Sequence, residues 1–258
     1  MKLKDQVAIV TGAGRGIGRA IALEFVKEGA AVSLVQRGEE ELRQVAKEVE
    51  ALGGKCLVLP LSVAREDHVE QMVQKTVDAF GTVDIMVNNA GIAGPTAMAI
   101  DISPQQWNEV LAINLTGPWL CSRAVLKIMM PKRRGRIINI SSAAAKIPLA
   151  RRTPYCATKA GLNGLTRSLA QELGPYNINV NSILPGATGG RRINEVIEAR
   201  AKAEGVSFDT MYKQYVSMAP LQRMVEGEDI AKMALYLASE DGHNITGQSI
   251  NVTAGACM

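Results

Sequence analysis

The stretch Gln6-Val7-Ala8-Ile9-Val10-Thr11-Gly12-Ala13-Gly14-Arg15-Gly16-Ile17-Gly18, continuing to Glu28, decides the fold. Residues 6–10 are short and mostly apolar and read as a strand. A helical pattern follows over about 16–28, with Ile17, Ala20, Ile21 and Phe25 at helical spacing. The glycines between them let the backbone turn tightly and approach a phosphate closely. The helix that starts there offers free N–H groups and the positive end of its dipole. Strand, turn and helix together form an anion-binding device. The spacing is G-x-x-x-G-x-G rather than G-x-G-x-x-G, and no G-K-[ST] ending follows, which argues against a P-loop nucleotidase.

Outward from this unit, strand and helix patterns alternate. Strands are predicted at 31–35, 55–59, 84–87, 136–140, 179–183 and 249–252. Helices are predicted at 39–52, 66–80, from Pro104, from about Gly117 to Met130, at 155–173 and at 229–238. This alternation predicts an α/β protein of the Rossmann type: a doubly wound parallel sheet of about seven strands with helices on both faces. No linker rich in Pro, Gly or Ser interrupts the chain, so residues 1–258 are read as a single domain. Residues 188–225 are helical in pieces and read as a variable substrate lid. Ligands in such sheets bind beyond the C-terminal strand ends, and this insertion falls there.

Composition excludes several classes. The apolar fraction of 47% and charged fraction of 21% suit a globular core and argue against disorder. No stretch approaches the length of a membrane span, and no apolar signal core precedes the first glycine turn. The formal charge of +4 is modest, and basic residues are interleaved with acids, so no nucleic-acid partner is expected. Cys56, Cys121, Cys156 and Cys257 lie far apart without a C-x-x-C pair, so no metal site is expected and a reducing, cytoplasmic setting is the natural reading. His68 lies at a charged helix start and is expected to face water.

Three polar side chains converge at the crevice edge. Tyr155 and Lys159 are four apart and share a helix face. Ser142 ends the fifth strand. An unperturbed tyrosine near pKa 10 is a poor acid or base at neutral pH, but a neighbouring ammonium stabilises the phenolate. Tyr155 then exchanges a proton with a carbonyl or alcohol oxygen that Ser142 holds. The competing reading is a surface tyrosine with a lysine neighbour.

With these residues in hand, the chain resembles the classical short-chain dehydrogenases/reductases over nearly its whole length. The resemblance rests on Thr11-Gly12-Ala13-Gly14-Arg15-Gly16-Ile17-Gly18, Asn88-Asn89-Ala90-Gly91, Asn114, Ser142, Tyr155-Cys156-Ala157-Thr158-Lys159 and Pro185-Gly186. It implies that Tyr155 is the acid/base and that Ser142 orients substrate. It implies that Lys159 binds the nicotinamide ribose, and that Asn114 anchors a water in a proton relay to that lysine. It also implies a dinucleotide held by Gly12, Gly14, Arg15, Gly16, Ile17, Gly18, Gln36, Arg37, Ser62, Val63, Asn89, Ala90, Gly91, Tyr155, Lys159, Pro185, Gly186 and Thr188. Ser62 stands where the family usually has an Asp beside the adenine, and Thr188 comes early after Pro185-Gly186. Family members form homodimers or homotetramers through the helices around 104–130 and 155–173, and residues 253–258 are expected to join an interface.

The end of the second strand selects the cofactor. An acid there would bind the ribose diol of NAD. Gln36 and Arg37 stand there instead, and with Arg15 they favour NADP over NAD, a guanidinium pairing well with a 2′-phosphate. The mouth carries Lys146, Arg151, Arg152, Arg191 and Arg192, which predicts a small anionic carbonyl or alcohol substrate. The runner-up is a 3-oxoacyl-carrier-protein reductase, with Lys132-Arg133-Arg134 as part of a carrier-docking surface; its second basic position corresponds to Tyr176, which carries no charge for a carrier. A catalytically silent nucleotide-binding scaffold is the alternative from another class.

Overall fold

The computed structural model describes residues 1–257. In chain order it contains β1 (Val7–Thr11), α1 (Gly16–Lys27), β2 (Ala31–Val35), α2 (Glu39–Ala51), β3 (Cys56–Leu59), α3 (Glu66–Phe80) and β4 (Ile85–Asn88). Then follow α4 (Pro104–Leu111), α5 (Gly117–Lys132), β5 (Gly135–Ile140), α6 (Thr153–Leu173) and β6 (Ile178–Pro185). The chain ends with α7 (Arg191–Glu204), α8 (Phe208–Ser217), α9 (Gly227–Ala238) and β7 (Ser249–Val252).

The strands form one parallel sheet in the order β3-β2-β1-β4-β5-β6-β7. The chain builds outward from β1 to β3 and then returns to place β4 on the other side of β1. That reversal opens a crevice at the C-terminal strand ends. β1 is buried along its whole length, as its unbroken apolar run requires of a central parallel strand. On one face Ile21, Phe25, Leu42, Val45, Ile230 and Ala234 from α1, α2 and α9 pack on Val10, Leu34 and Ile138. On the other, Met72, Val73, Val125 and Leu169 from α3, α5 and α6 pack on Ile9, Met86 and Ile137. Each such large side chain contributes roughly 1.5–3 kcal/mol by leaving water.

Predicted and observed boundaries differ by a residue or two at most ends, and three differences have physical content. Pro185 lies inside β6 rather than stopping it. The N–H groups of Ser182 and Gly186 go to the β7 side, so the Pro185 nitrogen faces the side where β5 has already ended, its last partner being Ile183. The helices at Pro104 and Gly117 are not separate: a π-type turn over Ala112–Thr116 joins α4 to α5, with Asn114 inside it. Such turns inside α-helices commonly mark functional sites. Finally, His68 does not simply face water. Its Nδ1 accepts the Ser62 N–H at 3.1 Å and ties α3 to the loop after β3, because the first turn of α3 lies against that loop.

α7 and α8 pack on each other around Ile197, Ala201 and Met211. They follow β6 and stand over the same strand ends as the glycine turn. Among the described residues, no helix is long and apolar enough to cross a membrane, and no cluster of His, Cys, Asp and Glu has the arrangement to hold a metal.

Candidate active site

A cavity of about 980 Å³ runs along the C-terminal strand ends, from the glycine turn to α7 and α8. Gly12 (φ 65°) and Gly16 (φ 54°) take left-handed backbone conformations that shape the turn. α1 starts at Gly16 with no side chain capping it and no acid in its first turn, so its leading N–H groups stay free for an anion. Gly12, Arg15, Gly16 and Ile17 line the cavity; Gly14 and Gly18 do not. Those two glycines act behind the surface. Gly14 donates its N–H to Gln36 Oε1 at 3.2 Å, and a Cβ there would fall 2.8 Å from the Gln36 amide. At Gly18 a Cβ would fall 2.2 Å from the Gly12 carbonyl oxygen and 2.4 Å from Asn89 Nδ2. Asn89 Nδ2 in turn donates to the carbonyls of Thr11 (2.8 Å) and Gly12 (3.1 Å). Thr11 Oγ1 accepts the N–H groups of Asn89 and Ala90, each at 3.0 Å. The end of β4 is thereby bolted to the glycine turn.

At the cavity end beside β2, Gln36 and Arg37 line the wall as expected, and so does Glu41 from the first turn of α2. The sequence reading missed Glu41. Its carboxylate accepts from Gln36 Nε2 at 2.5 Å and pairs with Arg15 at 3.4 Å. Arg15 is therefore partly neutralised, and Arg37 is exposed. Ser62 and Val63 line the same end with Ala90 and Gly91. The Ser62 hydroxyl is engaged locally, accepting the Ala64 N–H at 3.3 Å. At the opposite wall Pro185, Gly186 and Thr188 line the cavity, and Thr188 Oγ1 donates to the Gly186 carbonyl at 3.1 Å.

The chemistry-bearing trio meets in the middle. Ser142, Tyr155 and Lys159 all line the cavity. Ser142 lies two residues beyond the end of β5, where its Oγ accepts the Ala144 N–H at 3.1 Å, and Tyr155 and Lys159 sit one turn apart on α6. Lys159 is buried; its Nζ donates to the Ile140 carbonyl at 2.8 Å and stands 5.7 Å from the Tyr155 ring centre. Burial pushes the Lys159 ammonium down to about 8, with Tyr155 opposing and Arg192 assisting. Burial alone would raise the Tyr155 phenol, but Lys159, Arg192, the Ser142 hydroxyl and Arg152 together outweigh it and hold it below its ordinary value. The ammonium and the phenol titrate as a coupled pair. Asn114 is fully buried and does not line the cavity. Its Oδ1 accepts the Ile92 N–H at 2.8 Å, and its Nδ2 donates to the Ile92 carbonyl at 2.9 Å and to Thr158 Oγ1 at 3.4 Å.

The basic mouth is only partly as expected. Arg152, Arg191 and Arg192 line the cavity, but Lys146 and Arg151 do not. Lys146 reaches away to Asn251 Oδ1 at 3.1 Å. Arg151 takes a left-handed conformation (φ 62°), which turns the chain so that its neighbour Arg152 points inward. Arg152 is 4% exposed and its guanidinium lies 5.2 Å from the Tyr155 ring centre.

Comparison with known proteins agrees with this geometry. The family model described as "Enoyl-(Acyl carrier protein) reductase" matches residues 12–257. An "Uncharacterized oxidoreductase" of Thermotoga maritima is 36% identical over 256 residues, covering 99% of each chain. A "3-oxoacyl-[acyl-carrier-protein] reductase FabG" of Staphylococcus epidermidis is 36% identical over 255 residues, covering 98% of this chain and all of its own. Among solved structures, NAD+-bound xylitol dehydrogenase matches with a TM-score of 0.96 at 30% identity, over 99% of this chain and 100% of its own. Actinorhodin polyketide ketoreductase with NADPH matches at 0.94 and 34% identity, over 97% of each chain.

Proposed function

The chain belongs to the classical short-chain dehydrogenases/reductases, enzymes that interconvert carbonyl and alcohol groups with NAD(P)(H), and on that premise we propose NADP as its cofactor and a small anionic ketone or secondary alcohol as its substrate. The observation that carries the reading is Tyr155 with a lowered phenol, flanked by Ser142 and Lys159 in the cavity that the glycine turn opens. The uncapped N-terminus of α1 fits a pyrophosphate, and Gly12 and Gly16 leave the backbone bare beside it. When bound, the nicotinamide supplies or accepts the hydride.

The remaining work falls to this chain's own side chains. Tyr155 gives its proton to the substrate oxygen in reduction and takes it back in oxidation. Ser142 holds that oxygen, and Lys159 contacts the nicotinamide ribose and keeps the phenol acidic. Asn114 is a positioning residue: by holding Ile92 and Thr158 it fixes the π-type turn against α6. Residues 188–225 act as the substrate lid. Arg37, which pairs with no carboxylate among the described residues, and Arg15 bind the 2′-phosphate of NADP. A second reading, NAD, is favoured by one observation, the Glu41 carboxylate beside Gln36, an acceptor suited to a ribose diol.

Reduction of a 3-oxoacyl chain on a carrier protein is the runner-up, supported by the 36% identity to FabG. Against it, the basic run at 132–134 precedes β5, at the end of the sheet opposite the cavity, and Arg133 and Arg134 are engaged by the Pro175 carbonyl and Asp84. We further propose a cytoplasmic homotetramer or homodimer formed through α4, α5 and α6; only monomer in sedimentation at micromolar concentration would reject it. The C-terminal contact expected over 253–258 includes Met258, which lies outside the described residues. The deciding assay is a panel of keto acids, sugar acids, hydroxy sulfonates and carrier-bound 3-oxoacyl thioesters, each with NADPH and NADH. Fast turnover of the thioester with neglect of every small acid would overturn the substrate proposal.

A further inference from the structure

Arg152 is in an unusual position for a charged side chain. It is 4% exposed, and among the described residues its guanidinium makes a single hydrogen bond, from Nη1 to Thr96 Oγ1 at 3.1 Å. Its Nε is buried without any partner. Among the described residues no carboxylate pairs with it; the face of the Tyr155 ring lies 5.2 Å away, and Tyr215 and Arg192 also act on its charge. Burying a guanidinium without a counter-charge is costly, and proteins normally pair such groups. Across the cavity mouth, Arg192 at the start of α7 also lines the wall and pairs with no acid among the described residues, whereas its neighbour Arg191 is paired with Glu195 at 3.1 Å. The same cavity is lined by the apolar Ile147, Leu149, Ile193 and Val196, and by Tyr215, whose hydroxyl accepts from Arg200 Nη1 at 3.2 Å.

We propose that Arg152 and Arg192 form a two-arginine clamp for a carboxylate carried one or two carbons from the reacting carbonyl, so that the substrate is a 2-oxo or 3-oxo acid, or the matching hydroxy acid. This rests on the oxidoreductase function assigned above and narrows its substrate class. The position follows from reach. The substrate carbonyl must sit within about 3 Å of the Tyr155 hydroxyl. A carboxylate forked by a guanidinium sits about 2.8 Å from its nitrogens. Because Arg152 packs on the ring of that same tyrosine, the two contacts leave room for a short spacer only. An acyl thioester has no charge at this point and would leave both guanidinium groups unanswered. A purely packing role for Arg152, through the Tyr155 ring, is the competing explanation.

The test compares a 3-oxo carboxylate with its ethyl ester, in the unmodified protein and in Arg152→Gln, Arg152→Lys and Arg192→Gln. The unmodified enzyme is expected to prefer the acid in kcat/KM. Arg152→Gln should cut that acid-to-ester preference by about 30-fold or more, mainly through KM for the acid, as expected for a charge-assisted hydrogen bond. Arg152→Lys should restore part of the preference, and Arg192→Gln should cut it by a smaller factor. If acid and ester fall together in Arg152→Gln, the arginine only packs against the tyrosine and the clamp is refuted. An unmodified enzyme that prefers the ester refutes the clamp without any variant and leaves the oxidoreductase reading intact. Failure to turn over acid, ester and every other carbonyl with either cofactor defeats that reading itself.

Discussion

Replacing Glu41 by Gln tests which nicotinamide cofactor this chain selects. The carboxylate lies at the end of the cavity where Gln36 and Arg37 stand, bonded to Gln36 Nε2 and Arg15. Against a 2′-phosphate of charge about −2 at a separation of ~6 Å, Coulomb's law in water gives a repulsion of roughly 1.4 kcal/mol. Its side chain is 39% exposed, so salt screening halves that to about 0.7 kcal/mol. Freeing Arg15 from an exposed pair adds about 0.5 kcal/mol to phosphate binding. The variant should therefore bind NADPH about fivefold to tenfold more tightly. For NADH the change removes a charged acceptor from the ribose diol, a loss of about 1.5 kcal/mol if that contact forms. The NADPH-to-NADH preference should then rise by more than tenfold, and the gain on NADPH should shrink as salt is added. Fluorescence titration of both cofactors against both proteins reads this directly. A preference that moves less than threefold would mean that Glu41 sits outside the phosphate's field.

Two further perturbations probe the rest of the site. Tyr155→Phe removes only the proposed proton-transfer group, so turnover should fall by about 10²-fold or more while NADPH titrates nearly as before, whereas Lys159→Ala should weaken both; undiminished turnover in Tyr155→Phe would reject the assignment. Gly18→Ala does not touch the cavity, yet its Cβ would fall 2.2 Å from the Gly12 oxygen, so it should cost about 1–3 kcal/mol of stability by overpacking and weaken both cofactors equally through the displaced turn, measured by denaturant melts and by the same titrations.

The glycine device was legible because its signals are local. An apolar run, a spacing of glycines and a helical period occupy one continuous stretch, and the structure keeps all three. Helix α3 spans the residues its apolar period predicts because its stripe faces a single layer. Tyr155 and Lys159 were legible because a four-residue spacing on a helix fixes their shared face. The fate of the charges was not, because it depends on backbone conformation outside regular elements. Arg151 and Arg152 are neighbours with identical chemistry; the left-handed turn at Arg151 separates them, and nothing in the pair Arg-Arg announces it. Glu41 reads as one of three acids opening α2, and only the bend through Arg37 and Gly38 brings it back onto Gln36 and Arg15. His68 and Lys146 failed for the same reason, each finding a partner on a neighbouring loop or strand.

The charges around Tyr155 give the pH dependence its sign. Lys159, with a pKa held down to about 8, is charged below that pH and neutral above it. Its charge and those of Arg192 and Arg152 hold the phenol down. In the proposed mechanism reduction needs the protonated phenol and the ammonium, and both are lost as pH rises through this coupled pair. Ketone reduction should therefore hold a plateau at neutral pH and fall above it, while alcohol oxidation should rise over the same window because it needs the phenolate. The clamp adds a second step. An acid seated on Arg152 and Arg192 neutralises two of the three cations that lower the phenol, so the proton is held more tightly when substrate is bound. In reduction of an oxo acid, the fall in kcat should lie at higher pH than the fall in kcat/KM, since these report the bound and the free enzyme. The ethyl ester brings no charge, so its two profiles should break at the same pH. Coincident breaks for the acid would show that its carboxylate rests away from the arginines, and a reduction rate that climbs with pH would remove Tyr155 as the proton donor.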